Sequence, residues 1–232
     1  MVAVAELPQL SAAVIKGHRL VNSKFPPVNL FDDVASAEEF DVAYAMQSLV
    51  NPRLQAEVGN LSLIRREEIP FGIPGCSYAT APFTHVNPLG SRFSDGSFGI
   101  LYLADTAETA ILEVKHHQQL YWRKVPALNF DVFVFRELVA TFNTDGLHDL
   151  SGEPLTASLY SPNDYAVSRQ LGSALIKTES KGVQYNSVRK PGSLCWGLFT
   201  PASVERVKQS GHYEMLWTGP STEVQIRKIT AA

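Results

Sequence analysis

Cysteine is scarce in this chain: 232 residues hold only Cys76 and Cys195, far apart and in no CxxC pair. That excludes the common zinc and dithiol-redox motifs and fits a reducing cytosol, with both thiols expected free. A basic surplus is missing too. Lys and Arg number 20 against 23 Asp and Glu, for a formal net charge of -3 and a pI near 6.1. Coating a nucleic acid needs a clustered cationic excess, so no direct nucleic-acid contact is expected. No apolar run is long enough for a bilayer, and MVAVAELPQLSAAVIKGHR carries no charged segment ahead of an apolar stretch. Neither a membrane span nor a signal peptide is expected, which points to the cytoplasm.

Familiar chemistries are missing as well. There is no GxSxG elbow and no GxxxxGK[ST] phosphate loop, and Gly90, Gly96 and Gly99 lack dinucleotide-fold spacing. The single Glu-x-x-His, from Glu113 to His116, has no second copy to build a di-iron site, and adjacent His116 and His117 cannot point the same way. No metal is expected. Internal repeats and low-complexity tracts are also lacking.

What remains is a chain rich enough to bury a core, 45% hydrophobic and 19% charged, consistent with one domain over residues 1–232. Ala13 to Val21 reads as a first strand carrying Arg19. Pro26 and Pro27 then force an extended crossing. Ser36-Ala37-Glu38-Glu39 is a capping box for a helix through Val50. Asn51 and Pro52 open a short second helix closed by Gly59. These helices form an elaboration over about residues 30–75.

Later elements alternate without a βαβ rhythm. Phe98 to Ala104 and Leu128 to Phe135 read as strands, and Ser161-Pro162-Asn163-Asp164 starts a helix to about Lys177. GVQYNSVR and LCWGLF read as strands, PASVERV as a short helix from Pro201, and YEMLW with VQIRKI as a closing hairpin at Gly219-Pro220. The class is therefore α+β rather than a doubly wound sheet.

The densest chemistry lies in Ser91 to Val114, SRFSDGSFGILYLADTAETAILEV. Arg92 sits in a glycine-bearing loop, Tyr102 on the strand, and Glu113 on a helix that Asp105 and Glu108 should cap. Ala107, Ala110, Ile111 and Val114 form that helix's buried stripe. Glu113 falls roughly 60° from Ala110, at the flank of the stripe, where it can line a cleft. A cation, an aromatic ring and a carboxylate brought together suit an anionic sugar ligand. Each also has a plainer reading: Arg92 paired with Asp95, Tyr102 at the core edge, Glu113 bridging to His117, Ser187 in a turn.

GHRLV at Arg19, SRFSDG at Arg92, ILYLAD at Tyr102, TAILEV at Glu113 and YNSVR at Ser187 together resemble the RES-domain family. FPPVNLF, NPRLQAEVG and FTHVNP are similar to its longer members, so the likeness runs from about Val14 to Phe199. One departure is Gly90-Ser91-Arg92-Phe93, where short members have a Gly-Gly-Arg-Trp-like segment.

The resemblance implies an ADP-ribosyltransferase-like mixed sheet with flanking helices, and a toxin that degrades NAD by breaking the nicotinamide–ribose bond. NAD is then the substrate, and no cofactor is implied. Glu113 would stabilise the oxocarbenium-like ribose, Arg92 would clamp the pyrophosphate with help from Arg19, and Tyr102 would stack the nicotinamide. Ser187 would bind the carboxamide or ribose. NADP stays open as a second substrate, with Lys24, Arg189 or Lys190 to receive its extra phosphate. The acceptor, whether water, phosphate or a protein side chain, is left open, as is a non-catalytic binding module. The resemblance further implies a hetero-oligomer with a cognate helix-turn-helix, Xre-like antitoxin, through which any DNA contact would come.

Overall fold

The computed structural model describes residues 7–24, 30–220 and 222–229. Its strands are β1 (Val14–Asn22), β2 (Leu101–Ala104), β3 (Asp131–Asn143), β4 (Leu147–Asp149), β5 (Gly182–Asn186), β6 (Leu194–Leu198), β7 (Val204–Trp217) and β8 (Gln225–Ile229). They form one sheet in the order β4-β5-β6-β2-β1-β3-β7-β8. Every named pairing is antiparallel except β4 with β5. The helices are α1 (Ala37–Ser48), α2 (Leu54–Val58), α3 (Cys76–Thr84), α4 (Ala107–Lys124) and α5 (Ala166–Lys177). The α+β class and the mixed sheet with flanking helices are as expected.

Alternation along each strand splits the core in two. On one face, Phe31, Phe40 and Val58 from the helical elaboration and Phe83 of α3 pack with Leu103, Leu138, Phe142 and Trp196. On the other, Ala110 and Trp122 of α4 and Leu175 of α5 pack with Leu20, Phe135, Tyr185 and Cys195. The elaboration is thus the cover of one sheet face. Each large apolar side chain it buries contributes about 1.5–3 kcal/mol.

Local signals explain most boundaries. Ser36 Oγ accepts from Glu39 N at 3.2 Å while the Glu39 carboxylate accepts from Ala35 N at 2.8 Å, a capping box displaced by one residue on the return side. Gly59, at φ 76°, ends α2. Helix α4 ends where Trp122 stacks on Trp217 with ring centroids 5.4 Å apart and donates its Nε1 hydrogen to Asp131.

Several expectations need correction. Thr106, and not Asp105, caps α4: Thr106 Oγ1 accepts from Thr109 N, while the Asp105 carboxylate accepts from Thr109 Oγ1 and Leu194 N. Asn51 accepts from Arg53 N in a turn, and α2 starts later, at Leu54. Helix α5 starts at Ala166, after Asp164 has taken the Ala166 N–H. The strand expected at Leu128 begins at Asp131 and runs on to Asn143. PASVERV is a 3-10 turn, Pro201–Ser203, leading into the long β7. A register shift pairs Phe142 with Val204 but Thr141 with Arg206, so Val204 and Val207 are both buried three residues apart, imitating helical spacing. Helix α3 and strand β4 have no counterpart in the sequence reading. Pro26 and Pro27 lie outside the described residues.

Candidate active site

Strands β1 and β2 pair at one register position, His18 opposite Ala104, whereas β1 and β3 pair along the whole length of β1. Next to this short ladder, below α4 and beside the loop before β2, lies a cleft of about 810 Å³. Its lining includes His18, Arg19, Arg92, Tyr102, Glu113 and Tyr165. Four of the five predicted site residues therefore share one cavity.

The Arg92 loop is fastened from several sides. Gly90, at φ 77°, could not carry a side chain, because a Cβ there would meet Ser94 O at 2.4 Å. The Tyr102 hydroxyl accepts from Phe93 N at 3.0 Å and lies 2.8 Å from Ser91 Oγ, gripping the backbone on one side of Arg92 and a side chain on the other. Burial pushes that phenol up to about 12, so it remains a neutral hydroxyl. Arg92 itself is 8% exposed. Its Nη1 donates to Leu159 O and Ser161 O, and the guanidinium stacks 4.6 Å from the Tyr165 ring centre. Among the described residues its hydrogen bonds run through Nη1, which leaves Nη2 and Nε for a ligand. Asp95 is engaged with Ser97 rather than with Arg92.

Glu113 reaches the cleft beside Ala110 and Val114. Ser187, 0% exposed, donates its hydroxyl to Glu113 Oε1 at 2.7 Å and accepts from Arg189 N and Lys190 N. Ser187 is therefore behind the carboxylate and is not among the residues lining the cleft. At the floor, burial first and Glu113 second raise the Cys195 thiol to about 12, and burial drives the Tyr185 phenol well above its usual value. Both stay neutral, which leaves Cys195 a poor nucleophile.

Arg19 donates Nη1 to Tyr102 O at 3.3 Å, bridging the strands where their ladder stops. Burial lowers it to about 10, and it remains a cation at neutral pH. With Arg92 and Lys124 also lining the cleft, Arg19 makes the cavity cationic around one carboxylate, although the whole chain is acidic. Among the described residues no group of three or more His, Cys, Asp or Glu is placed to hold a metal ion.

The RES domain profile matches residues 69–218. The chain belongs to the RES-domain family. The uncharacterised protein y4oC of Sinorhizobium fredii (strain NBRC 101917 / NGR234) is 28% identical over 206 residues, covering 87% of this chain and 83% of that protein. A chain in the crystal structure of the M. tuberculosis MbcT-MbcA toxin-antitoxin complex aligns with a TM-score of 0.36 at 17% identity, over 53% of this chain and 73% of that one. Among the described residues no helix is long and apolar enough to cross a membrane.

The matched RES segment begins after β1, yet β1 lies in the middle of the sheet between β2 and β3. Arg19 and His18 thus complete the cleft of this RES domain from outside the matched span.

Sequence reasoning also missed the hold of α5 on the Arg92 loop. Ser168 Oγ donates to Arg92 O at 2.6 Å, and Arg169 donates to Ser91 O and Leu89 O. Gly172 permits the contact, since a Cβ there would stand 1.9 Å from Phe93 O. A glycine inside a helix was the available signal of such a close approach. Of the cations named for an additional phosphate, Arg189 contacts His116 and Pro162 O, Lys190 pairs with Glu108, and Lys24 stands over the Phe133 ring. None of the three lines the cleft, whereas Lys124 does.

Proposed function

We propose that this RES domain cleaves the nicotinamide–ribose bond of NAD, passing ADP-ribose to water or phosphate, and that it is the toxin of a toxin–antitoxin pair. The observation that carries the reading is the Glu113 carboxylate, fixed by buried Ser187 and facing the same cleft as Arg92 and Arg19. Cleavage of that bond builds positive charge on the ribose, and a preorganised carboxylate stabilises the transition state more than the ground state. Arg92 offers the pyrophosphate its unengaged guanidinium edge, which can bind two oxygens at once. Arg19 adds a second cation. The Tyr102 ring borders the nicotinamide site while its hydroxyl holds the loop. Ser187 aims Glu113 instead of touching the substrate.

An enzyme that drains NAD needs restraint in its own cell, and a helix-turn-helix, Xre-like antitoxin closing the cleft would supply it. NADP is a second substrate under this reading, with Lys124 the cleft lysine available for its additional phosphate.

The test is nicotinamide release from NAD by purified protein. Wild type should release it, and Glu113→Ala should lose about 10²-fold or more in rate at an unchanged melting temperature. No release by wild type, or full release by Glu113→Ala, sinks the assignment. Induced expression of wild type should arrest growth, and co-expression of a helix-turn-helix protein encoded beside it should relieve the arrest.

A further inference from the structure

The cleft holds a second polar arrangement that none of the predicted site residues touches. His18 lines the cavity from β1, and its Nδ1 lies 2.7 Å from Glu137 Oε1 on β3. The Glu137 side chain is 5% exposed and that of His18 is 24% exposed. Tyr213 on β7 donates its hydroxyl to Glu137 Oε2 at 3.4 Å. Glu137 stands at a register shift, with Arg136 opposite His212 and Leu138 opposite Gln209. Irregularities of that kind re-aim side chains at functional sites.

Burying a carboxylate is costly unless it is hydrogen-bonded, so both oxygens need donors. An ionised carboxylate only accepts, so Nδ1 must carry the imidazole hydrogen. The basic lone pair is then on Nε2, which no described residue engages. A buried carboxylate that fixes the tautomer of a histidine at a cavity wall is how general bases are oriented.

We infer that His18, positioned by Glu137, is the general base that activates the acceptor in this cleft. The inference rests on the NAD-cleaving reading and supplies the partner that Glu113 lacks. The water oxygen forms a bond to the ribose C1′ while the C1′–N bond breaks. The bond's electron pair stays with the pyridinium nitrogen, which leaves as neutral nicotinamide. The water proton passes to His18 Nε2 and then to solvent, giving ADP-ribose and one proton. Glu113 stabilises the ribose cation throughout. The other titratable and charged groups lining the cavity are Arg19 on the same strand, Arg92 in the loop, Tyr102 on β2, His117, Tyr121 and Lys124 on α4, Tyr165 beside α5, and Tyr185 and Cys195 at the floor.

His18→Asn is the informative variant, because the asparagine amide can replace the Nδ1 donor to Glu137 but cannot take a proton. It should fold normally and release nicotinamide about 10²-fold more slowly, the lower end of general-base effects, in kcat at unchanged KM. The acid limb of the kcat profile should disappear in the same variant. His18→Ala should regain rate when imidazole is added. Wild-type kcat and an unchanged acid limb in His18→Asn would overturn the proposal. So would activity losses that only track loss of folded protein in both variants, with no imidazole rescue. No release by wild type strikes at the NAD reading itself, whereas an active wild type with an equally active His18→Asn strikes at the base alone.

Discussion

Ser187 Oγ stands 2.7 Å from Glu113 Oε1, joining two residues 74 positions apart in the chain. The same hydroxyl accepts from Arg189 N and Lys190 N, so one buried atom ties the turn after β5 to the middle of α4. Ser187→Ala should therefore act in two ways. It strands two backbone donors, costing about 1–3 kcal/mol of stability. It also releases Glu113, which should lower kcat for nicotinamide release with little effect on KM. Thermal melts beside steady-state kinetics separate the two, and a rise in KM at constant kcat would show Ser187 to be a substrate contact after all.

Tyr102→Phe should produce the opposite kinetic pattern. The ring stays in the cleft, but Phe93 N and Ser91 Oγ lose their shared partner, and the Arg92 loop loses its grip from β2. An orphaned buried N–H costs about 1–3 kcal/mol. Under the proposed NAD-cleaving function Arg92 would hold the pyrophosphate, remote from the breaking bond, so its displacement should raise KM for NAD more than it lowers kcat. A variant with wild-type KM would show that α5 alone suffices to hold the loop.

The contrast between these residues explains what was legible in the sequence. Arg92, Tyr102 and Glu113 belong to one contiguous loop–strand–helix unit, so local signals were enough to bring them together. Ser187 came only from family resemblance, and its place behind Glu113 was not readable from a turn sequence. The grip of Ser168 and Arg169 on the Arg92 loop and the His18–Glu137 pair depend on contacts across 76 or more residues. Only the first residues of β7 read as a helix, because the register shift buries Val204 and Val207 at a helix-like interval, whereas its YEMLW end pairs with β8 in the expected hairpin.

Acid should destabilise the fold in a specific window. Burial, reinforced by Arg189, lowers the His116 imidazole from 6.5 to about 4, and its Nε2 accepts from Arg189 Nη2 at 2.7 Å. The folded chain thus binds fewer protons here than the unfolded chain between those two values, and stability falls as pH drops from 6.5 towards about 4. Above 6.5 the contribution is complete, and below about 4 it is lost without further slope. His116→Gln keeps an acceptor for Arg189 without titrating, so its melting temperature should fall less steeply across that window. His117 and His148, also lowered by burial, act with the same sign and leave a residual slope.

Gly172→Ala reverses a general rule. In a helix interior, replacing glycine by alanine ordinarily stabilises by about 0.5–1 kcal/mol, because the unfolded chain loses freedom. At Gly172 the added Cβ would lie 1.9 Å from Phe93 O and 3.1 Å from Phe93 Cβ. The nearest obstacle is backbone, which no rotamer change can clear, so α5 or the loop must move. Overpacking of this kind costs about 1–3 kcal/mol, enough to outweigh the entropic gain. The movement also separates Ser168 and Arg169 from Arg92 O and Ser91 O, so the substrate grip should loosen with the fold. Gly172→Ala is therefore expected to lower the melting temperature and raise KM for NAD together. A variant more stable than wild type would mean that α5 shifts without strain, and its KM would then report how far Arg92 depends on that helix.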